Sequence, residues 1–282
     1  LHSFPTRRSS DLRLGAKPWR RRGPRGQRVV QFGVAMNRIK GIILCEGETD
    51  QVLMSAYLGK VRGWKYFRNR NSPLPQEPIR WFKNERDDLL GFWLVGGSSF
   101  AGPIKKLLKW MSYESESTIE SIVVVTECDV SAADHDRLRD LLDAIDDALS
   151  TSDDSPDILP NRWHSLKLAS RFPGAKDLEV RIAYLLVPMN EYGALETFML
   201  DALAEGSQEK EHVIEQSRSF VEEFESNVYL KRRRERTKAE LGVALSVFSP
   251  DRVFTTMQEL IDSVDWSEFE ATDEQFKLLT DI

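Results

Sequence analysis

The sequence has few of the side chains that form disulfide bonds or hold soft metals. Its 282 residues include two cysteines, Cys45 and Cys128, and four histidines. Their positions form neither a disulfide framework nor the ligand spacing of a zinc site. A metal ion in this protein is therefore predicted to be bound by oxygen atoms.

Long apolar segments are also missing. No stretch approaches the roughly 18 uninterrupted apolar residues that a membrane helix needs, and the first residues lack the apolar centre of a secretory signal. We therefore expect a cytoplasmic protein with no membrane partner. The sequence contains no phosphate-binding loop of the Gly-x-x-x-x-Gly-Lys type, so any ATP-driven step would require a separate ATPase protein.

Charge is distributed unevenly along the chain. The whole sequence has 39 Lys and Arg against 45 Asp and Glu, a net charge of −6. Residues 1–35 hold nine of the basic residues and one acid, Asp11, which leaves a net charge of −14 for the remainder. We interpret residues 1–35 as a non-native or disordered basic leader outside the folded protein. The alternative is a basic arm that binds nucleic acid.

From Met36 onwards, strand patterns alternate with helix patterns. The strand candidates are "GIILC" (41–45), "GFWLVGG" (91–97), "SIVVVTECD" (121–129) and "VRIAYLLVPM" (180–189). Nearly continuous apolar runs of this kind are typical of strands covered on both faces. The alternation predicts an α/β fold with a mostly parallel sheet of about four strands flanked by helices. We expect residues 36–205 to form this domain and residues 206–282 to form a helical C-terminal extension packed on it.

Acidic residues stand where the predicted strands end. Glu46 follows the first strand, and Glu127 and Asp129 close the third. Ligands of parallel sheets bind beyond the carboxyl ends of the strands, and two acids two residues apart in extended chain point to the same side. Three such carboxylates predict a hard oxygen site for Mg²⁺ or Mn²⁺ beside a phosphate group. Asp50, one turn into the next helix, is a further candidate catalytic residue.

These motifs resemble a known family. Glu46-Gly47-x-x-Asp50, the "VGG" that ends the second strand and Glu127-x-Asp129 are similar to motifs of the Toprim domain found in topoisomerases, primases and overcoming-lysogenization-defect (OLD) nucleases. The resemblance covers about residues 38–200 and implies a Rossmann-like Toprim fold with Mg²⁺-dependent phosphoryl transfer. It implies Glu46 as the general acid or base and Glu46, Glu127 and Asp129 around the metal. The family has Asp where Glu127 stands, and glutamate is one methylene longer.

A fourth carboxylate follows the last predicted strand. The segment "VPMNEYGALETFMLDAL" (187–203) resembles one found in stand-alone Toprim-like proteins related to the OLD nucleases. That resemblance implies that Glu196 lies near the metal. The alternative interpretation is a solvated helix residue.

Residues 60–86 form a basic segment with interleaved aromatic side chains, eight Lys or Arg against two Glu. Basic side chains neutralise phosphates and exposed aromatic rings stack on unpaired bases, so this segment is the predicted nucleic-acid contact. Alternatively, its aromatic residues pack on the sheet and its charges are solvated. The candidate nucleic-acid-binding residues are Lys60, Arg62, Trp64, Lys65, Arg68, Arg70, Arg80 and Lys83.

Together these features predict a Mg²⁺-dependent phosphodiesterase or nuclease that acts on DNA or RNA, in phage defence or nucleic-acid processing. A non-catalytic Toprim-like module that binds nucleotides or a partner in a defence complex is the main alternative. A protein that binds small phosphorylated ligands is a third.

Overall fold

The structure is a computed structural model that describes residues 38–68, 77–96, 99–113, 119–128, 138–146, 158–170, 177–189, 193–224, 230–252 and 254–282. The predicted leader, Arg70 and Asp129 lie outside these ranges. All of the described residues belong to one compact unit. Among their helices, none is long and apolar enough to cross a membrane.

One seven-stranded sheet forms the centre of the fold, in the order β2-β3-β4-β1-β5-β7-β6. Strands β4, β1, β5 and β7 are parallel to one another. The three outer strands, β2 and β3 on one side and β6 on the other, are antiparallel to their neighbours. The strands are β1 (Ile39–Cys45), β2 (Lys65–Phe67), β3 (Ile79–Lys83), β4 (Leu89–Leu94), β5 (Ser121–Glu127), β6 (Trp163–Leu168) and β7 (Leu178–Val187).

The predicted α/β class and parallel centre are confirmed, but the predicted number of about four strands is wrong. The four expected strands are the four central parallel ones, whose side chains are mostly buried on both faces. The additional strands lie outside these four, where part of each strand meets solvent and charged residues interrupt the apolar pattern. Two of them, β2 and β3, lie within the segment 60–86.

Helices cover both faces of the sheet. They are α1 (Glu48–Arg62), α2 (Ala101–Tyr113), α3 (138–146), α4 (Leu195–Ala204), α5 (Gln208–Glu222), α6 (Arg233–Phe248), α7 (Met257–Asp262) and α8 (Glu270–Phe276). Short 3₁₀ helices occupy Pro250–Arg252, Trp266–Glu268 and Lys277–Asp281. The C-terminal helices are therefore present, as expected for residues 206–282.

The alternation of side chains along the strands divides the hydrophobic core into two clusters, one on each face of the sheet. Ile43 and Cys45 of β1 point toward α1 and the C-terminal helices, whereas Ile42 and Leu44 point toward α2 and α3 because successive side chains leave opposite faces of a strand. Trp266, from the C-terminal part, is fully buried in the first cluster. The C-terminal helices thus share a core with α1 and the sheet.

The connections diverge between β1 and β5. The chain leaves β1 into α1 on one face, and it leaves β5 toward α3 on the other face. Neighbouring parallel strands whose connections separate in this way open a crevice at their carboxyl ends, the usual ligand position of such sheets. Glu46 and Glu127 lie at the ends of these two strands.

Helix α1 runs from the carboxyl ends of the strands to their amino ends. It stops at Gly63, whose positive φ of 70° is the left-handed conformation that favours glycine. Fifteen residues at about 1.5 Å each give a length of roughly 22 Å. Its first residue therefore lies at the carboxyl edge of the sheet and its last near the amino edge.

Candidate acidic site at the carboxyl edge of the sheet

The turn that carries Glu46 is held by three elements. The Gly96 N–H, beyond β4, donates to the Glu46 backbone carbonyl at 3.0 Å. The Thr126 hydroxyl of β5 donates to Glu46 Oε1 at 3.0 Å, and the Gly47 N–H donates to Asp50 Oδ2 at 2.8 Å. Asp50 therefore closes the turn from inside α1, where its carboxylate satisfies an N–H at the start of the helix.

Asp50 is buried beside other acids. Its side chain is only 5% exposed, and burial is the largest cause that raises its pKa to about 6. The hydrogen bond from Gly47 lowers this pKa, whereas the charges of Glu46 and Glu196 raise it further. An effect of both glutamates on one carboxyl indicates that the three acids share one electrostatic environment.

A backbone bridge brings α4 to the end of β5. The Cys128 N–H donates to the Val187 carbonyl at 3.0 Å, and the Gly193 N–H donates to the Cys128 carbonyl at 2.8 Å. A Cβ atom on Gly193 would lie 3.0 Å from Thr197 Cβ, so a larger residue here would have to shift the Thr197 side chain by a few tenths of an ångström. The bridge therefore brings the start of α4, whose first turn carries Glu196, to the end of β5, which carries buried Glu127.

Glu196 also has a partner that the sequence did not reveal. Lys238 Nζ of α6 lies 3.5 Å from Glu196 Oε1, while Glu196 Oε2 is buried and has no hydrogen-bond partner among the described residues. This burial rules out the solvated-helix interpretation of Glu196. Lys238 follows the basic cluster "KRRRER" (231–236) by two residues. The sequence contains no signal that separates it from the charges of that cluster.

The carboxylates match Mg²⁺ in chemistry but do not form a closed ligand set. Within the described ranges, no three Asp, Glu, His or Cys side chains are close enough together to hold a metal ion. Asp129, the predicted ligand after Glu127, is outside these ranges. Carboxylate oxygens remain the preferred donors for Mg²⁺, and the buried Glu196 oxygen has the properties of such a donor.

Only part of the predicted nucleic-acid segment lies at this edge. Arg80 of β3 donates to Gln51 Oε1 at 2.7 Å and also binds Glu48, both in the first part of α1. Arg68 follows β2 at the same edge, because Phe67 pairs with Trp81 next to Arg80. These two arginines are the predicted basic residues that the strand register brings toward Glu46.

The other candidates of the segment are elsewhere. Lys60 and exposed Arg62 lie at the far end of α1, where Lys60 binds Asp265 at 2.9 Å. Lys65 and Lys83 face each other at the amino edge of the hairpin. The candidate residues therefore do not form one patch.

Burial divides the aromatic residues of this segment. Trp64 is 5% exposed and packs in the core, so its ring offers no face on which a base could stack. Trp81 and Phe82 are buried as well. Tyr66, in contrast, is 67% exposed. The packing interpretation is correct for these three rings, whereas Tyr66 is exposed at the hairpin.

Comparison with known proteins identifies a family. A match to the family described as "Protein of unknown function (DUF3226)" covers residues 40–277, from β1 to the last helices. No curated protein and no solved structure matches the chain. Because the match includes both the sheet and the C-terminal helices, it spans the folded unit described above. The chain belongs to the DUF3226 family.

Proposed function

We propose that this protein is a Toprim-like, Mg²⁺-dependent phosphodiesterase that cleaves DNA or RNA. The observation that carries the proposal is that Asp50, Glu127 and Glu196 are buried acids at the carboxyl end of the sheet, where Glu46 follows β1 and its charge, like that of Glu196, raises the pKa of Asp50. Burying like charges together is unfavourable unless an opposite charge offsets them. A divalent cation is the ligand that would do so at a site of this chemistry.

Glu46, Glu127 and Asp129 would hold the ion, with Glu196 beside them. When bound, Mg²⁺ or Mn²⁺ supplies positive charge to the oxygens of the phosphodiester under attack. The extra methylene of Glu127 gives its carboxylate more reach than the aspartate of the family pattern has. This reach matters because Glu127 lies deep at the end of a fully buried strand.

The acid–base, positioning and strand-binding roles fall to residues of the chain itself. Glu46, oriented by the Thr126 hydroxyl, is the general acid or base. Asp50 positions Glu46 by holding the Gly47 N–H. Arg68 and Arg80 lie at the same edge, where Arg68 would contact phosphates of the bound strand and Arg80 would contact the strand beside it.

The test is cleavage of single-stranded and double-stranded DNA and RNA with Mg²⁺ or Mn²⁺. Glu46→Gln, Glu127→Gln and Asp129→Asn should each lower the rate by at least about 100-fold, the scale of a lost acid–base group or metal ligand. Glu120→Gln is the matched control: Glu120 directly precedes β5 at the opposite edge and binds Lys40. Its rate should stay within about twofold of the original. Cleavage that persists in a chelator, or in Glu46→Gln, would refute the proposal.

A second candidate function is supported by Lys238. Its ammonium group already supplies a positive charge next to Glu196, which suits a non-catalytic module that binds nucleotides or a partner ATPase. A folded protein that binds Mg²⁺ but cleaves none of the four substrates would favour this module over the nuclease.

A further inference from the structure

A cavity of about 510 Å³ opens between the β2–β3 hairpin, α1 and α7, which is within the usual size range of small-molecule sites. Gln51, in its lining, directly follows Asp50, and Arg80, also in its lining, binds Glu48 in the first turn of α1. The positive charge of Arg80 also lowers the pKa of the thiol of Cys45, the last residue of β1, against the larger raising effect of burial. The cavity therefore adjoins the acidic site without containing its carboxylates.

The hairpin contributes an aromatic ring in a defined orientation. Tyr66 packs edge-on against Phe82, with ring centroids 6.0 Å apart and an angle of 80°. Phe82 in turn packs against buried Phe92 at 5.2 Å. A ring held in this way but still 67% exposed is available for stacking on a planar ligand.

Polar groups of opposite hydrogen-bonding character line the cavity on different elements. Arg80, on the hairpin, is fixed by Gln51 Oε1 at 2.7 Å, and a guanidinium carries more N–H donors than its two contacts here use. On α7, the carboxylates of Glu259 and Asp262 accept hydrogen bonds. Glu259 uses Oε2 for the Thr256 N–H at 3.1 Å. The cavity thus combines a donor fork, acceptor groups and an aromatic face.

We propose that this cavity binds a guanine base. Guanine presents paired acceptors, O6 and N7, to an arginine fork, and its N1–H and N2 amino groups are adjacent donors that suit a carboxylate. Adenine lacks the O6 acceptor, and uracil lacks an amino group. This inference rests on the proposed function in one respect: the bound base would belong to the strand whose phosphodiester is cleaved. Binding of the base itself requires no cleavage.

The test is calorimetric titration of the full chain in EDTA with GMP, IMP, AMP, CMP and UMP. GMP should bind at least about tenfold more tightly than the other four. IMP lacks the N2 amino group, and AMP, CMP and UMP lack the O6 and N7 acceptor pair, the N1–H and N2 donor pair, or both. Tyr66→Ala should weaken GMP binding about tenfold, the scale of one lost stacking partner, whereas Tyr66→Phe should keep it. Arg80→Lys keeps the charge but loses the fork, and it should reduce the preference for GMP over AMP.

Tyr113→Ala is the matched control, because Tyr113 is a comparably exposed tyrosine, 51%, at the end of α2 and outside the cavity lining. It should leave GMP binding unchanged. Short single-stranded oligonucleotides with one guanine or none distinguish a free nucleotide from a strand as the source of the base. No GMP binding at millimolar concentration, equal binding of all five nucleotides, or an unchanged affinity in Tyr66→Ala would overturn the inference. GMP binding without cleavage would refute the nuclease alone, and cleavage without a guanine preference would refute the guanine site alone.

Discussion

Replacing Asp50 by asparagine removes one buried negative charge and keeps an acceptor oxygen for the Gly47 N–H. The pKa of Asp50 is about 6 in the folded protein against an ordinary value of 3.8. The folded state therefore binds its proton more tightly than the unfolded state, so ionisation of Asp50 lowers the free energy of unfolding as pH rises from about 4 through 6. The difference of about 2 pKa units, at about 1.4 kcal/mol each, amounts to about 3 kcal/mol above pH 7.

Urea denaturation of the original protein and Asp50→Asn between pH 4.5 and 8 measures this effect. At pH 8 the variant should be more stable by about 3 kcal/mol, and at pH 4.5 the gap should shrink to about 1 kcal/mol. Asp87→Asn, at an exposed position whose positive φ of 66° asparagine tolerates, should show no such gap. Added Mg²⁺ should narrow the gap at pH 8 if a cation binds beside Asp50. A gap that is equal at both pH values, or a variant less stable at pH 8, would refute the argument.

Three further substitutions test the surrounding structure. Lys238→Met should lower the free energy of unfolding by about 1–2 kcal/mol, because it leaves buried Glu196 without its cation. Glu196→Gln in the same chain should recover most of this loss. Urea midpoints measure both changes, and additive effects of the two substitutions would contradict the pairing. Gly91→Ala should cost about 1–3 kcal/mol by thermal unfolding, because its Cβ would lie 2.7 Å from Ile42 Cδ1 in the centre of the sheet. Gly193→Ala should lower the affinity for Mg²⁺ with little change in the free energy of unfolding, because the added methyl group presses on Thr197, the residue after Glu196. Unchanged Mg²⁺ affinity in calorimetry would contradict this role.

The centre of the fold was predictable because both faces of its strands are buried. Strands β4, β1, β5 and β7 are apolar along nearly their whole length, and this pattern depends on no distant partner. The outer strands β2, β3 and β6 were missed because their apolar residues alternate with charged ones whose burial depends on the neighbouring strand. "IRWFK" of β3, for example, buries Trp81 and Phe82 but exposes Arg80.

The site was predictable only where it follows from strand ends. Glu46 and Glu127 stand at neighbouring strand ends because the parallel strands β1 and β5 end on the same side of the sheet. Lys238 could not be identified, since its contact with Glu196 depends on how α6 packs against α4. The split of the basic segment was equally hidden, because the hairpin register sends Arg80 to one edge and Lys83 to the other.

The residues around Glu46 come from segments separated by most of the chain, and this has a consequence for folding kinetics. Contacts between distant segments form only after the entropic cost of closing long loops has been met. The pair of Glu196 and Lys238, and the bridge from Gly193 to Cys128, are therefore expected to form late, after the central strands have paired. Interactions that are absent from the folding transition state change the unfolding rate and leave the folding rate nearly constant. A cation or nucleotide bound here would thus prolong the lifetime of the folded protein without speeding its formation.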